Sequence, residues 1–114
     1  MFVTAEQMLH GSPLRGWSGS FFHSQHMTFG IWDIADGAAP LHVHHHEQEE
    51  VWHVVAGAIA ITVDGDERVV AAGSAVIVPP HTPHSVRPLG ACRAIVADWP
   101  MRTSLPGVAT PVTR

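Results

Sequence analysis

The 114-residue sequence contains no lysine, and its six basic residues are all arginines scattered along the chain. The formal net charge is −4 at pH 7, and no segment forms a basic stripe. Proteins that bind nucleic acid or anionic membranes concentrate basic side chains on one surface. We therefore exclude nucleic acid and anionic membranes as partners.

Only one cysteine is present, Cys92. A disulfide framework is thereby excluded, and a lone thiol is typical of a reducing compartment. The N-terminus shows no basic segment followed by an apolar one, and no apolar run approaches the roughly 18 residues that span a bilayer. We expect a cytoplasmic protein in which Cys92 is a small buried apolar side chain.

Charged residues are scarce, at 14% of the sequence against 46% hydrophobic residues. A chain of this length is expected to form one domain, spanning 1–114, with a substantial core. Because so little charge is available to cover the surface, we expect a second copy to cover part of it in a homodimer.

Helical periodicity is also missing, except over residues 4–9, where Thr4 and Gln7 fit a capping box. Nine prolines and ten glycines divide the rest into short segments. This spacing favours an all-β barrel or sandwich, with a core over about 20–99, a loop over 10–20 and a C-terminal arm over 100–114. The predicted strands are 20–22, 27–34, 42–46, 50–55, 59–63, 68–71, 75–78, 85–87 and 92–98. Asp64-Gly65 predicts a type I′ hairpin turn.

Histidines and carboxylates concentrate in one stretch, HVHHHEQEEVWHVVAG over residues 42–57. Alternate residues of a strand share a face, so an extended 42–46 would put His42, His44 and His46 on one side. Glu50 follows on the inward side of the next strand, whereas His45 and His53 would face outward. Imidazole and carboxylate together are ligands of divalent first-row metals. The stretch therefore predicts a metal site.

A fourth candidate ligand, His84, ends the segment GSAVIVPPHTPH over residues 73–84. Pro79, Pro80 and Pro83 fix the backbone φ angle at three points before it. Such stiffness suits a ligand that must be held in a fixed geometry.

These two segments resemble the two motifs of the cupin superfamily of small β-barrels. The second motif, G-x5-P-x-G-x2-H-x3-N, runs here from Gly73 through Pro79 to His84. His81 stands in place of its internal Gly, and Pro88 in place of its final Asn.

The first motif, G-x5-H-x-H-x3/4-E-x6-G, ends here with Glu50 and Gly57. Its H-x-H pair is either His44 with His46, or His42 with His44. We adopt the first choice, because the short loop before Glu50 then needs no insertion.

The resemblance implies a cupin barrel that holds one divalent Fe, Mn, Ni or Zn ion inside it. The implied ligands are His44, His46, Glu50 and His84, with open positions for a small organic substrate, and Glu50 would also act as a catalytic base. The leading expectation is a dioxygenase. The alternatives are a non-redox sugar or sugar-acid isomerase or lyase, and a non-enzymatic module that binds or senses a small molecule.

The remaining aromatic, charged and histidine side chains have simpler interpretations. Trp32, Trp52 and Trp99 are expected in the core or the pocket wall. Arg87 is an exposed strand residue or a carboxylate anchor at the barrel mouth. Asp98 is a surface acid or a dimer contact. The following are expected at the surface, in loops or at the pocket rim: His10, His23, His26, His81, Glu47 and Glu49.

Overall fold

The computed structural model describes residues 1–105, which form strands almost throughout. One 3-10 turn at Ala5–Gln7 comes first, and the Gln7 side chain accepts a hydrogen bond from the Thr4 backbone N–H at 2.9 Å. Eight strands follow: β1 (Leu9–Gly11), β2 (Trp17–His23), β3 (Thr28–Ile34), β4 (Leu41–His44), β5 (Glu49–Val63), β6 (Asp66–Ala71), β7 (Ala75–Val78) and β8 (His84–Trp99). Within residues 1–105, no helix is long and apolar enough to cross a membrane.

Two long strands, β5 and β8, organise the fold. They pair antiparallel along their whole length, from Glu49 opposite Trp99 to Val63 opposite His84. The first half of β5 also pairs with β7, and the last half of β8 with β3. The second half of β5 pairs with β6, and the first half of β8 with β4. The result is a jelly-roll β-sandwich: sheet I is β1-β2-β3-β8-β5-β7, and sheet II is β4-β8-β5-β6. The predicted all-β class is confirmed.

The two predicted strands 50–55 and 59–63 form one continuous strand, β5, and Gly57 explains how the chain continues between them. Gly57 lies within β5 with a φ of 73°, and a Cβ there would overlap the Ala91 carbonyl of β8. Only glycine adopts this left-handed conformation without strain at such a close approach. The β5–β8 register shifts on both sides of it, so this glycine marks a bulge and not a chain reversal. Segments 85–87 and 92–98 are likewise one strand, β8.

Two local predictions have opposite outcomes. The type I′ turn is confirmed, because Asp64 and Gly65 have φ angles of 49° and 82° between β5 and β6. The loop predicted over 10–20 is wrong at both ends: His10 and Gly11 belong to β1, and β2 begins at Trp17 and pairs residue by residue with β3. Trp17, at 1% exposure, is a core residue that starts this strand.

The interior of the sandwich changes character from one end to the other. Across β2, β3, β8 and β5, one row of consecutive cross-strand partners on the inner face is polar and buried: His23, Thr28, Asp98 and Glu50. The adjacent row and those beyond it are apolar, and their largest side chains are Trp17, Phe21, Trp32 and Trp52. These rings pack edge to face, with centroid distances of 5.3 Å for Trp17–Trp32 and 6.3 Å for Trp17–Trp52.

The chain returns to the sandwich after β8. Leu105 is 6% exposed and belongs to the hydrophobic core, and Arg102 reaches the polar row. Residues 106–114, the rest of the predicted arm, lie outside the described residues.

Candidate metal centre

Three histidines meet at the polar end of the interior. His44 ends β4, His46 lies in the connection to β5, and His84 begins β8. Their ligand atoms all lie within 4.8 Å of one another. The ring centroids are 4.2 Å apart for His44–His84 and 4.8 Å for His46–His84. The structure therefore brings together the three imidazoles that the two sequence motifs single out.

His42 does not join this group, although strand alternation put it on the same face. Between Leu41 and His44 the register of β4 against β8 shifts: three steps along β4 match two along β8, from Val86 to His84. This bulge turns His42 into solvent, so the prediction that it shares a face with His44 is wrong. His42 contributes its backbone carbonyl instead, which accepts a hydrogen bond from His44 Nδ1 at 2.9 Å.

A hydrogen bond from Nδ1 to a backbone carbonyl orients the other two rings as well. His46 Nδ1 is 3.1 Å from the Gln48 carbonyl, and His84 Nδ1 is 2.8 Å from the Thr82 carbonyl. A carbonyl oxygen only accepts, so each Nδ1 carries the hydrogen and each Nε2 has a free lone pair. Backbone carbonyls commonly orient metal-binding histidines in this way.

The Nε2 atoms are suited to a metal ion. His46 Nε2 and His84 Nε2 are buried and make no hydrogen bond within residues 1–105. Burial lowers the pKa of His84, which favours its neutral, metal-binding form. Buried nitrogens without a partner carry a desolvation penalty that a bound cation would remove. On this observation the residues fit a divalent transition metal.

The loop before His84 ties the two halves of the centre together. The His81 backbone N–H donates to the His46 carbonyl at 2.7 Å. His81 has a φ of 59°, which explains why glycine suits this motif position. Its side chain is exposed, as predicted for a loop residue.

Glu50 lies beside the imidazoles and is held from several sides. Trp52 Nε1 donates to its Oε1 at 2.6 Å, and Arg102 Nη2 donates to its Oε2 at 3.2 Å. Its oxygens are also 3.4 Å from His46 Nε2 and 3.7 Å from His84 Nε2. Burial alone would raise the pKa of Glu50, but the neighbouring polar groups of His46, Asp98 and Trp52, with the charge of Arg102, hold that pKa below its ordinary value.

The spacing around Glu50 is compatible with a shared ion. Two ligand atoms on one metal, each about 2.1 Å from it, are roughly 3.0–3.4 Å apart when adjacent. The Glu50 oxygens approach this spacing with His46 and His84. The three histidines by themselves form a wider group, so a bound ion would draw their rings closer together.

Asp98 is the second carboxyl group of the site, and the prediction of a surface acid or dimer contact is wrong. It is 5% exposed and sits opposite Glu50 on the neighbouring strand. Burial and the Glu50 charge raise its pKa to about 7, against the lowering effect of Arg102. Its Oδ2 accepts a hydrogen bond from Arg102 Nε at 2.9 Å, whereas its Oδ1 makes no hydrogen bond within residues 1–105.

Arg102 is the residue that sequence reasoning missed. Its side chain, 18% exposed, bridges Asp98 and Glu50, and its backbone N–H donates to Thr28 Oγ1 at 2.9 Å. No motif marked this position. For Asp98 a signal did exist, because Ala94, Val96 and Asp98 alternate on one strand face and the first two are apolar.

The remaining side chains differ in how far their positions match the predictions. Arg87 pairs with Glu67 at 3.0 Å on the exposed face of sheet II, which matches an exposed strand residue and not an anchor at the site. Trp32 and Trp52 are buried as predicted, but Trp99 is 57% exposed. His23 is buried, against the expectation of a rim position, and hydrogen-bonds Thr28 Oγ1 at 2.8 Å. The predictions of outward or buried positions are confirmed for the rest: His45, His53, Glu47, Glu49 and Cys92.

Comparison with known proteins agrees with this architecture. The family model for the cupin domain matches residues 30–98, and the chain belongs to this family. An RmlC-like cupin from Shewanella frigidimarina is 26% identical in sequence, with a TM-score of 0.79 over 89% of this chain and 91% of that chain. No curated protein matches the sequence.

Two further structures share the fold at lower identity. KdgF from Halomonas sp. is 23% identical, with a TM-score of 0.78 over 90% of this chain and 94% of that one. Oxalate decarboxylase from Bacillus subtilis, whose Mn(II) centres have been characterised, is 15% identical, with a TM-score of 0.73 over 86% of this chain and 29% of that one. At these identities the likeness is one of fold.

Proposed function

We propose that this protein is a metal-dependent enzyme that acts on a small organic acid through proton transfer, as an isomerase or a lyase does. The ion would be held by His44, His46 and His84 through their Nε2 atoms, with Glu50 as the fourth ligand. A homodimer in the cytoplasm remains the prediction of the sequence.

The observation that carries the metal site is the orientation of the imidazoles. Three rings from two distant segments have their Nδ1 atoms engaged by backbone carbonyls and their ligand atoms within 4.8 Å. An ordinary buried histidine needs partners for both ring nitrogens. Here two Nε2 atoms are buried without one, which supports a ligand role. The cupin fold accommodates Mn(II) centres in oxalate decarboxylase, so such an ion is compatible with the fold.

The group formed by Glu50, Asp98 and Arg102 supports the choice of chemistry. A bound divalent metal supplies a Lewis acid that polarises a substrate oxygen. Glu50 and Asp98 are paired carboxyl groups, able to take up and return a proton at the same place. Arg102, partly accessible between them, donates from Nε to Asp98 and from Nη2 to Glu50, and its remaining N–H groups would be left for a substrate carboxylate. These groups favour a carboxylated substrate and proton transfer.

The dioxygenase implied by the sequence resemblance uses the same metal ligands. A binding or sensing module would use them as well, without turnover. The paired carboxyl groups are what distinguish the isomerase or lyase proposal, because neither oxygen chemistry nor simple binding requires them.

Metal analysis tests the first part of the proposal. Protein produced in medium with Fe, Mn, Ni and Zn is expected to contain about one metal ion per chain, whereas His84→Ala loses most of it. His26→Ala is the matched control, because His26 is exposed and lies outside the site. Full metal occupancy in His84→Ala would contradict the assignment.

A substrate screen tests the second part. Sugar acids and other small hydroxy or keto acids are incubated with the metal-loaded protein, followed by NMR of the products and by an oxygen electrode. We expect conversion without O₂ uptake, and its loss in Asp98→Asn. O₂ consumption with a catechol-like or diketone substrate would establish the dioxygenase instead, and saturable binding without any conversion would establish the binding module.

A further inference from the structure

Trp52 belongs to the apolar core and also touches the candidate metal centre. It is 2% exposed, and its Nε1 donates a hydrogen bond of 2.6 Å to Glu50 Oε1. The cupin motif fixes no residue type at this position, and the proposed metal ligands do not include it. A buried indole whose one polar atom donates to a carboxylate is suited to hold that carboxylate in a single orientation.

The Trp52 donor is itself held in place by the core. Glu50 and Trp52 are two residues apart on β5, so both side chains lie on the inner face. β5 pairs here with β7 on one side and with β8 on the other, which fixes the backbone of both residues. The indole packs edge to face on Trp17, with the ring planes at 88°. The position of the N–H is therefore set by packing that does not depend on the metal centre.

Glu50 accepts hydrogen bonds from two donors that differ in charge. Arg102 brings a positive charge to Oε2 at 3.2 Å, and its side chain is 18% exposed and shared with Asp98. Trp52 brings a neutral donor to Oε1 and is almost fully buried. A neutral donor orients the carboxylate without cancelling its negative charge, so that charge stays available to a cation.

We infer that Trp52 is a positioning residue for the metal centre: its N–H holds Glu50 with Oε1 3.7 Å from His84 Nε2, where the carboxylate meets the ion as the fourth ligand. This inference rests on the proposed metal site. Phenylalanine would pack similarly at this position but has no donor. Groups that orient a metal ligand by a hydrogen bond contribute roughly 10-fold to 100-fold to metal affinity.

The metal affinity of two matched variants of the full chain tests the role. Trp52→Phe keeps an aromatic ring in the core and removes the N–H. Its dissociation constant for Zn(II), measured by competition with a chromogenic chelator, is expected to rise about 10-fold to 100-fold. Trp17→Phe is the control, because Trp17 is 1% exposed and its Nε1 donates to the Ala39 carbonyl at 2.8 Å, away from the site. The control should stay within about three-fold of the wild type.

The dependence on Glu50 separates positioning from packing. In a Glu50→Ala background, Trp52→Phe is expected to have no further effect on the Zn(II) dissociation constant, because no carboxylate is left to hold. An equal loss in both backgrounds would show that Trp52 acts through the core, and would overturn the inference. An unchanged affinity in Trp52→Phe, or an equal loss in Trp17→Phe, would overturn it as well.

NMR of the wild type provides a second measurement should Trp52→Phe not fold. After assignment of the indole resonances, Zn(II) is expected to shift the N–H signal of Trp52, whose acceptor becomes a ligand, and to leave that of Trp17 in place. An unmoved Trp52 signal in Zn-loaded protein would overturn the inference.

The His84→Ala variant distinguishes failure of this inference from failure of the metal site. If His84→Ala loses its metal while Trp52→Phe binds Zn(II) like the wild type, the metal site stands and only the role of Trp52 is wrong. If His84→Ala keeps its metal, the site itself is wrong and the role of Trp52 falls with it.

Discussion

The two ends of the sandwich interior are built from the same strands but have opposite chemistry. At the polar end, His23, Thr28, Asp98 and Glu50 form a buried row beside the three histidines. One step along each strand, the interior becomes apolar and contains Trp17, Trp32 and Trp52. Trp52 joins the two ends, since its ring packs on Trp17 and its Nε1 donates to Glu50. The difference suggests that stability resides at one end and chemistry at the other.

The largest effect is expected at the aromatic end. Trp17→Ala removes a side chain that is 1% exposed and contacts two other tryptophans. We expect a loss of about 3–5 kcal/mol in the free energy of unfolding, measured by urea denaturation, because large-to-small changes in a core leave a cavity. Metal content per folded chain should be unchanged.

Phe2→Ala is the control for this variant, because Phe2 is an aromatic residue at 96% exposure. It should alter stability by no more than about 0.5 kcal/mol. If Trp17→Ala were as mild as Phe2→Ala, or removed the metal from folded protein, the division between the two ends would be wrong.

A second, smaller effect is a pH dependence at the polar end. The pKa of Asp98 is raised to about 7, so the folded state keeps a proton that the unfolded chain releases near pH 4. The stability gained from this proton is complete below about pH 4 and is lost as the pH rises through 7. The lowered pKa of His84 acts in the opposite direction below pH 6.5 or so, so the wild-type curve alone does not isolate Asp98.

The comparison is therefore between metal-free wild type and metal-free Asp98→Asn, by urea denaturation from about pH 5 to about pH 8. The stability of the wild type relative to the variant should fall by up to about 2 kcal/mol over this range. A constant difference would show that Asp98 does not hold a proton in the folded protein.

The smallest effect is expected from removing the Arg102 guanidinium, which lies between the carboxyl groups of Glu50 and Asp98. In the metal-free protein, Arg102→Met should cost about 1–2 kcal/mol, because Glu50 and Asp98 then lose their shared partner in a site that is largely out of water. Adding Asp98→Asn to that variant should recover much of the loss. Stability is measured by urea denaturation at neutral pH.

Arg87→Met provides the matched comparison for an arginine. It breaks the exposed ion pair with Glu67 and should cost no more than about 0.5 kcal/mol. Equal costs for the two arginine variants would mean that the Arg102 bridge contributes no more than a surface ion pair.

Much of the fold followed from local signals. Glycine and proline spacing predicted an all-β fold, although it divided β5 and β8 into two strands each, and Asp64-Gly65 predicted its turn because both residues tolerate positive φ angles. Strand ends were less predictable. Trp17 begins β2 inside a predicted loop, because pairing with β3, which comes later in the chain, decides where the strand starts.

The residues of the candidate site also fall into those predicted from the sequence and those that only the structure places there. His44, His46, Glu50 and His84 were predicted from strand alternation and from the resemblance to the cupin motifs, with His42 as the alternative to His46. Asp98 and Arg102 were not, because their position beside Glu50 depends on the register between β5 and β8 and on how the chain turns after Trp99. His42 was misplaced by strand alternation, which a single bulge in β4 interrupts.

The sequence by itself determined the class of fold and pointed to His44, His84 and the neighbouring glutamate as candidate ligands, because turn residues and motif spacing act over a few residues. Only the tertiary structure decided which histidine of the first cluster is excluded, and that a second carboxyl group and an arginine join the site. It also decided that Trp99 faces solvent. The physical reason is the same in each case: cross-strand register, bulges and the path of the chain after β8 depend on contacts between residues far apart in sequence.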